Sequence, residues 1–177
     1  MRQSKGNNQR SEVHQVKVGC CGLPKGMKHH SQVHSLGTST RTRAEFSELL
    51  RSHGIEMVID VRRFPTSRIE HFKQQALKQL LAELRIDYLH LGDELGGYRS
   101  GGYKAFTTTP EFETGINIVE KTASEKSSVI LCAERLPWRC HRRFITSELE
   151  KRGWQIEHII DEKRTWVTSK ASQSVQD

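Results

Sequence analysis

The chain has 177 residues, enough for one domain with a real core. Its 28 Lys and Arg against 21 Asp and Glu give a net charge of +7, which suits either an anionic partner or a basic surface that serves solubility alone. No apolar run approaches the length of a membrane span and no block of five basic residues occurs, which argues against a membrane anchor and a basic nucleic-acid arm.

The four cysteines are Cys20, Cys21, Cys132 and Cys140. They are few, two are adjacent, and no secretory segment stands before them, so a reduced cytoplasmic setting is expected rather than a disulfide scaffold.

Residues 1–32 are polar and without period, and read as a poorly ordered or remnant segment. Within them V-K-V-G-C-C-G-L-P at 16–24 reads as a strand running into a Gly/Pro turn. That short piece resembles the opening strand of the family called domain of unknown function 72. His29, His30 and His34 read as surface residues.

The regular rhythm spans 33–162. A strand at 33–36 ends at Gly37, with Ser39 or Thr40 expected as the cap of a helix over 42–53. That helix turns Phe46, Leu49 and Leu50 inward, and Gly54 closes it in the left-handed conformation. M-V-I-D-V at 57–61 suits a buried parallel strand. A helix over 71–85 carries Leu77, Leu80, Leu81 and Leu84 on one face, and I-D-Y-L-H-L at 86–91 reads as the next strand.

Residues 92–109 form a long Gly- and Tyr-rich loop, a length that is usually functional. Pro110 opens a helix that buries Phe112, Ile116 and Val119. A strand at 129–133, a helix from Cys140 to Arg152 closed by Gly153, and a strand at 154–160 complete the pattern, with 163–177 as a polar tail. Alternating strands and helices predict one α/β domain with a mainly parallel five-stranded sheet and helices on both faces.

In such sheets ligands bind outside the carboxyl ends of the strands. The second strand delivers Asp60, Arg62 and Arg63 there, followed by Ser67 and Arg68. The long loop delivers Gly96, Gly97 and Tyr98, with Tyr103 further on; either tyrosine could stack on a ring or pack its own loop. The fourth strand delivers Cys132 and Glu134. Cys140, His141 and Arg142 open the next helix, whose N-terminus favours an anion and, with Arg139 and Arg143 nearby, a thiolate.

Three roles stay open for the two cysteines and His141: a thiol nucleophile with a histidine base, a metal site, or small buried side chains at a strand end. The expectation carries no metal, and the cofactor stays unknown. Asp60 could be a general base, an orienting partner, or one half of a structural ion pair with Arg62.

V-I-D-V-R-R-F-P-T-S-R at 58–68, L-G-D-E-L-G-G at 91–97, C-A-E at 132–134, C-H-R at 140–142 and E-H-I at 157–159 together resemble the family known as domain of unknown function 488. The resemblance implies a fold and a pocket rather than an established reaction. Where family members read I-G-H-S, this chain reads L-G-T-S at 36–39, so Thr38 replaces a histidine that His34 or His141 would have to supply. A looser similarity is to rhodanese-like domains, whose strand-end cysteine carries sulfur.

The leading expectation is an enzyme, a hydrolase or transferase, acting on a phosphorylated or nucleotide-like anion. Arg62, Arg63, Ser67, Arg68, Gly96, Gly97, Tyr98 and Arg142 would bind the substrate; Asp60, Cys132, Glu134, Cys140 and His141 would do the chemistry. The alternatives are a nucleic-acid-binding or regulatory module without catalysis, and rhodanese-like sulfur chemistry. The partner is thus an anionic small molecule or nucleic acid, with no membrane.

Overall fold

Each of the five expected apolar runs forms a strand in the computed structural model, which describes residues 31–168. They are β1 (Gln32–Gly37), β2 (Met57–Asp60), β3 (Asp87–His90), β4 (Ser128–Cys132) and β5 (Gln155–Asp161). All five run parallel, in the order β3-β2-β4-β1-β5. The reading of 1–30, with Cys20, Cys21, His29 and His30, lies outside the described residues.

A sixth strand, β6 (Arg164–Thr168), pairs antiparallel with β5 along its free edge. Sequence reasoning placed this segment in a polar tail. An edge strand whose residues are almost all exposed needs no apolar alternation, so the pattern that marks buried strands is missing. Its anchor is Trp166, stacked on His158 of β5 at 5.2 Å between ring centroids.

The helices are α1 (Arg43–Ser52), α2 (Gln74–Glu83), α3 (Gly92–Leu95), α4 (Tyr103–Phe106), α5 (Pro110–Glu125) and α6 (Arg142–Lys151). Thr42, rather than Ser39 or Thr40, caps α1, in a reciprocal capping box with Glu45. The long loop after β3 folds into the single turns α3 and α4, which its glycines hide from any periodic reading. Cys140 does not begin α6. It follows a 3₁₀ turn at Pro137–Arg139 in extended conformation, and His141 is the cap.

Alternation along the strands sorts the core into two layers. Val58, Val129 and Leu131 pack with α1 and α2 through Phe46, Leu50, Leu77 and Leu81. Ile59, Ile130 and Cys132 face the other way, against Leu95, Phe112, Ile116, Ile145 and Leu149 of α3, α5 and α6. Among the described residues no helix is long and apolar enough to cross a membrane.

The topology fixes where a site can form. From β2 the chain moves outward to β3, whereas from β4 it crosses β1 to reach β5. The connections therefore diverge between neighbouring β2 and β4, and a crevice opens beyond their carboxyl ends.

Candidate active site

Cys132 is the last residue of β4, and its carbonyl accepts a hydrogen bond from the Thr38 N–H at 2.8 Å. The chain then loops out and returns at Cys140. What holds the two ends of this excursion together is Arg142, whose side chain is fully buried. Its Nη1 donates to Ser35 Oγ at 2.8 Å, and its Nη2 donates to the carbonyls of Glu134 and Arg135. No carboxylate among the described residues pairs with this guanidinium, and its Nε has no partner. A buried cation without an acid partner favours negative charge nearby.

That charge is available from sulfur. The Arg142 backbone N–H points at Cys140 Sγ, 3.5 Å away. His141 Nδ1 lies 3.6 Å from Cys140 Sγ and 3.9 Å from Cys132 Sγ. The other ring nitrogen, Nε2, is 3.0 Å from the carbonyl oxygen of Val61. A carbonyl only accepts, so Nε2 carries a proton, and Nδ1 is the ring nitrogen that faces the sulfurs.

The two thiols are both free, and their surroundings bias them in opposite directions. The neighbouring Cys132 thiol, joined by His141 and the Arg142 charge, holds the Cys140 thiol well below its ordinary range despite burial. Cys132 moves the opposite way, raised by its Cys140 neighbour and its own burial. Of the two, Cys140 is the sulfur that faces the Arg142 N–H and is the one biased toward the thiolate.

The cluster forms the floor of an open cleft of about 870 Å³. Arg63, Arg99 and Arg139 stand on its walls with Tyr98, Tyr103 and Glu134. Tyr103 is fixed by donating to the Leu95 carbonyl at 2.6 Å, and its ring lies 5.1 Å from that of His141. The backbone of Gly97 closes over the imidazole: a Cβ there would sit 3.1 Å from Nδ1. A side chain there would make the imidazole give by a few tenths of an ångström.

A family of unknown function, the domain of unknown function DUF488, matches residues 42–149, more than half of the chain. The chain belongs to the DUF488 family. No curated protein matches it. The matched span of the DUF488 domain holds both cysteines, His141 and every arginine of the cleft.

Several expected residues stand elsewhere in the DUF488 fold. Asp60 is fully buried and outside the cleft lining. It accepts hydrogen bonds from the Arg62 backbone and guanidinium and from Tyr88 Oη, while Arg62 Nη1 donates to the Phe72 carbonyl at 2.8 Å. Of the three roles open for Asp60, the geometry is that of the structural ion pair. Arg62 borders the cleft, yet its guanidinium is turned inward, as is that of Arg142. Ser67 caps its own turn by accepting from the Ile69 N–H, and Arg68 is exposed beyond the cleft.

Thr38 is buried and does not line the cleft. His34 pairs with Glu157 at 3.2 Å within the sheet, so the histidine of this site is His141. Gly96 is buried against Gly92 and Arg63 outside the cleft lining, whereas Gly97 lines the cleft beside His141, and Tyr98, on its wall, is 92% exposed. Sequence reasoning missed Arg99, which sits in a loop without period and lies over the Phe106 ring at 3.9 Å. It also missed the Val61 carbonyl, which no side-chain pattern signals.

Two other concavities, one beside Arg41 and Asp161 and one between Trp138 and Trp166, hold no comparable cluster of reactive groups.

Proposed function

We propose that the domain is an enzyme, a hydrolase or transferase, that acts on a small phosphorylated or nucleotide-like anion in this cleft. The observation that carries the reading is the convergence of Cys132, Cys140 and His141 beneath a wall bearing Arg63, Arg99 and Arg139. Reactive side chains and anion-attracting charge meet at the divergence point of a parallel sheet, where α/β enzymes bind substrate.

The roles follow from exposure. Arg63, Arg99 and Arg139 bind the anion: they line the cleft and are less buried than Arg62 and Arg142, although Arg63 also pairs with Asp93 at 3.0 Å and Arg99 donates to the Gly96 carbonyl at 2.9 Å. Arg62 and Arg142 are positioning residues: the first fixes the end of β2, the second the Glu134–His141 excursion. Glu134 is the carboxylate that borders the cleft and is free to move a proton, with Leu136 N–H its one long contact at 3.5 Å. Tyr98 and Tyr103 flank a ring or ribose.

A volume near 870 Å³ falls in the range of small-ligand pockets, about 300–1,000 Å³, so a small anion is favoured over a nucleic-acid strand. Rhodanese-like transfer fits less well. Its strand-end sulfur sits in a cradle of backbone N–H groups, and here the loop after Cys132 carries Leu136 and Pro137 and is not glycine-rich.

The test is thermal unfolding of the full chain with inorganic phosphate, nucleoside monophosphates and nucleoside diphosphates. A ligand at 100 times its dissociation constant stabilises by about 2.7 kcal/mol. The reading expects a raised midpoint that vanishes in the Arg63→Ala/Arg99→Ala variant. A flat panel, with salt-sensitive binding of DNA or RNA that survives loss of both cysteines, would replace it with the nucleic-acid module.

A further inference from the structure

The geometry points to a mononuclear zinc site formed by Cys132 Sγ, Cys140 Sγ and His141 Nδ1, with a fourth position open to the cleft. The inference deepens the enzyme reading above, since it names the reactive centre of the same cleft.

The ligand atoms are already gathered. All three lie within 4.8 Å of one another. Zinc bonds of about 2.3 Å to sulfur and 2.0–2.1 Å to nitrogen imply sulfur–nitrogen edges of about 3.6 Å in a tetrahedral site. The Cys140 edge measures 3.6 Å and the Cys132 edge 3.9 Å, and the two sulfurs, within 4.8 Å of each other, would close by up to about 1 Å through rotamer movement to reach the sulfur–sulfur edge of about 3.8 Å.

A second observation is independent of the sulfurs. A ligating imidazole normally donates its other N–H to a carbonyl or carboxylate, which fixes the tautomer. His141 does this through Nε2 to the Val61 carbonyl at 3.0 Å. Gly97 supplies a third: the space beside Nδ1 is one that a Cβ would invade at 3.1 Å.

Charge and ligand type select the ion. Two thiolates and a neutral imidazole offset the double charge of zinc, and sulfur ligands exclude magnesium and calcium. Buried Arg142, with no acid partner among the described residues, leaves one net positive charge, which favours an anionic ligand at the open position. Three protein ligands with one open position describe a catalytic rather than a structural zinc site. There the ion would take water or a substrate oxygen and act as a Lewis acid.

The test uses the full chain, reduced and stripped with chelator, then titrated with cobalt(II) and zinc(II). One equivalent of cobalt should produce thiolate-to-metal charge-transfer absorption with the intense visible bands of a tetrahedral site, and zinc should displace it. The absorption should persist in Cys20→Ser/Cys21→Ser and disappear in Cys140→Ser and His141→Asn. Gly97→Ala keeps every ligand and guards against a variant that fails to fold; it should weaken affinity by about 10–100-fold, as changes around the ligands do.

Absent charge-transfer absorption, or absorption that survives Cys140→Ser and His141→Asn, would overturn the site. The phosphate midpoint shift of the stripped chain is read in parallel. If that shift remains while cobalt fails to bind, the metal inference alone falls; if the shift is missing while cobalt binds, the anion reading falls and the metal stands.

Discussion

His141 and Val61 stand 80 residues apart in the chain and 3.0 Å apart across the divergence point of the sheet, imidazole Nε2 to carbonyl oxygen. This contact joins the end of β2 to the cap of α6 and decides which ring nitrogen meets the sulfurs. Without it the imidazole could flip and present the wrong atom. The cleft therefore depends on a backbone group as much as on its side chains.

The metal-free chain should hold His141 as the Nε2–H tautomer whenever the ring is neutral. Long-range proton–nitrogen NMR of histidine-labelled protein reads this directly. An Nδ1–H tautomer would mean that the Val61 contact does not orient the ring.

Asp60 and Arg62 should matter for folding first and for ligand only through it. Asp60→Ala leaves a buried guanidinium, only 4% exposed, without its carboxylate. Breaking one side of such a pair costs about 3–5 kcal/mol. Denaturant unfolding should show a loss of this size, while Arg63→Ala, at a half-buried site, should shift stability by less than about 1 kcal/mol. Equal losses in the two variants would contradict the division between frame and cleft.

Acid sensitivity should come in part from His158. Burial first, and the Arg142 charge second, lower its pKa from 6.5 to about 4, so the fold favours the neutral ring. The contribution is complete above about pH 6.5, declines as pH falls toward 4, and is absent below that, at on the order of 3 kcal/mol in all. His158→Phe keeps a ring against Trp166 and should flatten the stability–pH curve over that window. His34, also lowered by burial, acts with the same sign, so the comparison is the difference between variant and parent. Unchanged curvature would show that His158 is not buried neutral.

The frame was legible because its signals are periodic. Leu77, Leu80 and Leu81 mark a helix face, and Val58 and Ile59 alternate between layers. Topology then placed Cys132, Cys140 and His141 at one edge. Direction was not legible. Arg62 and Arg142 occupy anion-binding positions in sequence, yet Arg62 folds back on Asp60 two residues earlier and Arg142 reaches Ser35, 107 residues away. Nor could spacing reveal Arg99, held by the Gly96 carbonyl inside a glycine-rich loop. β6 escaped for the opposite reason, because an exposed edge strand has no apolar face to show.

The most direct test of the central claim is footprinting of the cleft sulfurs by alkylation, with peptide mapping of Cys132 and Cys140 in the metal-free full chain. If anion and sulfurs share one site, phosphate or a nucleotide should slow alkylation of Cys140 with the same dissociation constant as its midpoint shift. The protection should vanish in the Arg63→Ala/Arg99→Ala variant. An anion that raises the unfolding midpoint and leaves the alkylation rate of Cys140 unchanged would be bound elsewhere, and the cleft would not be the active site.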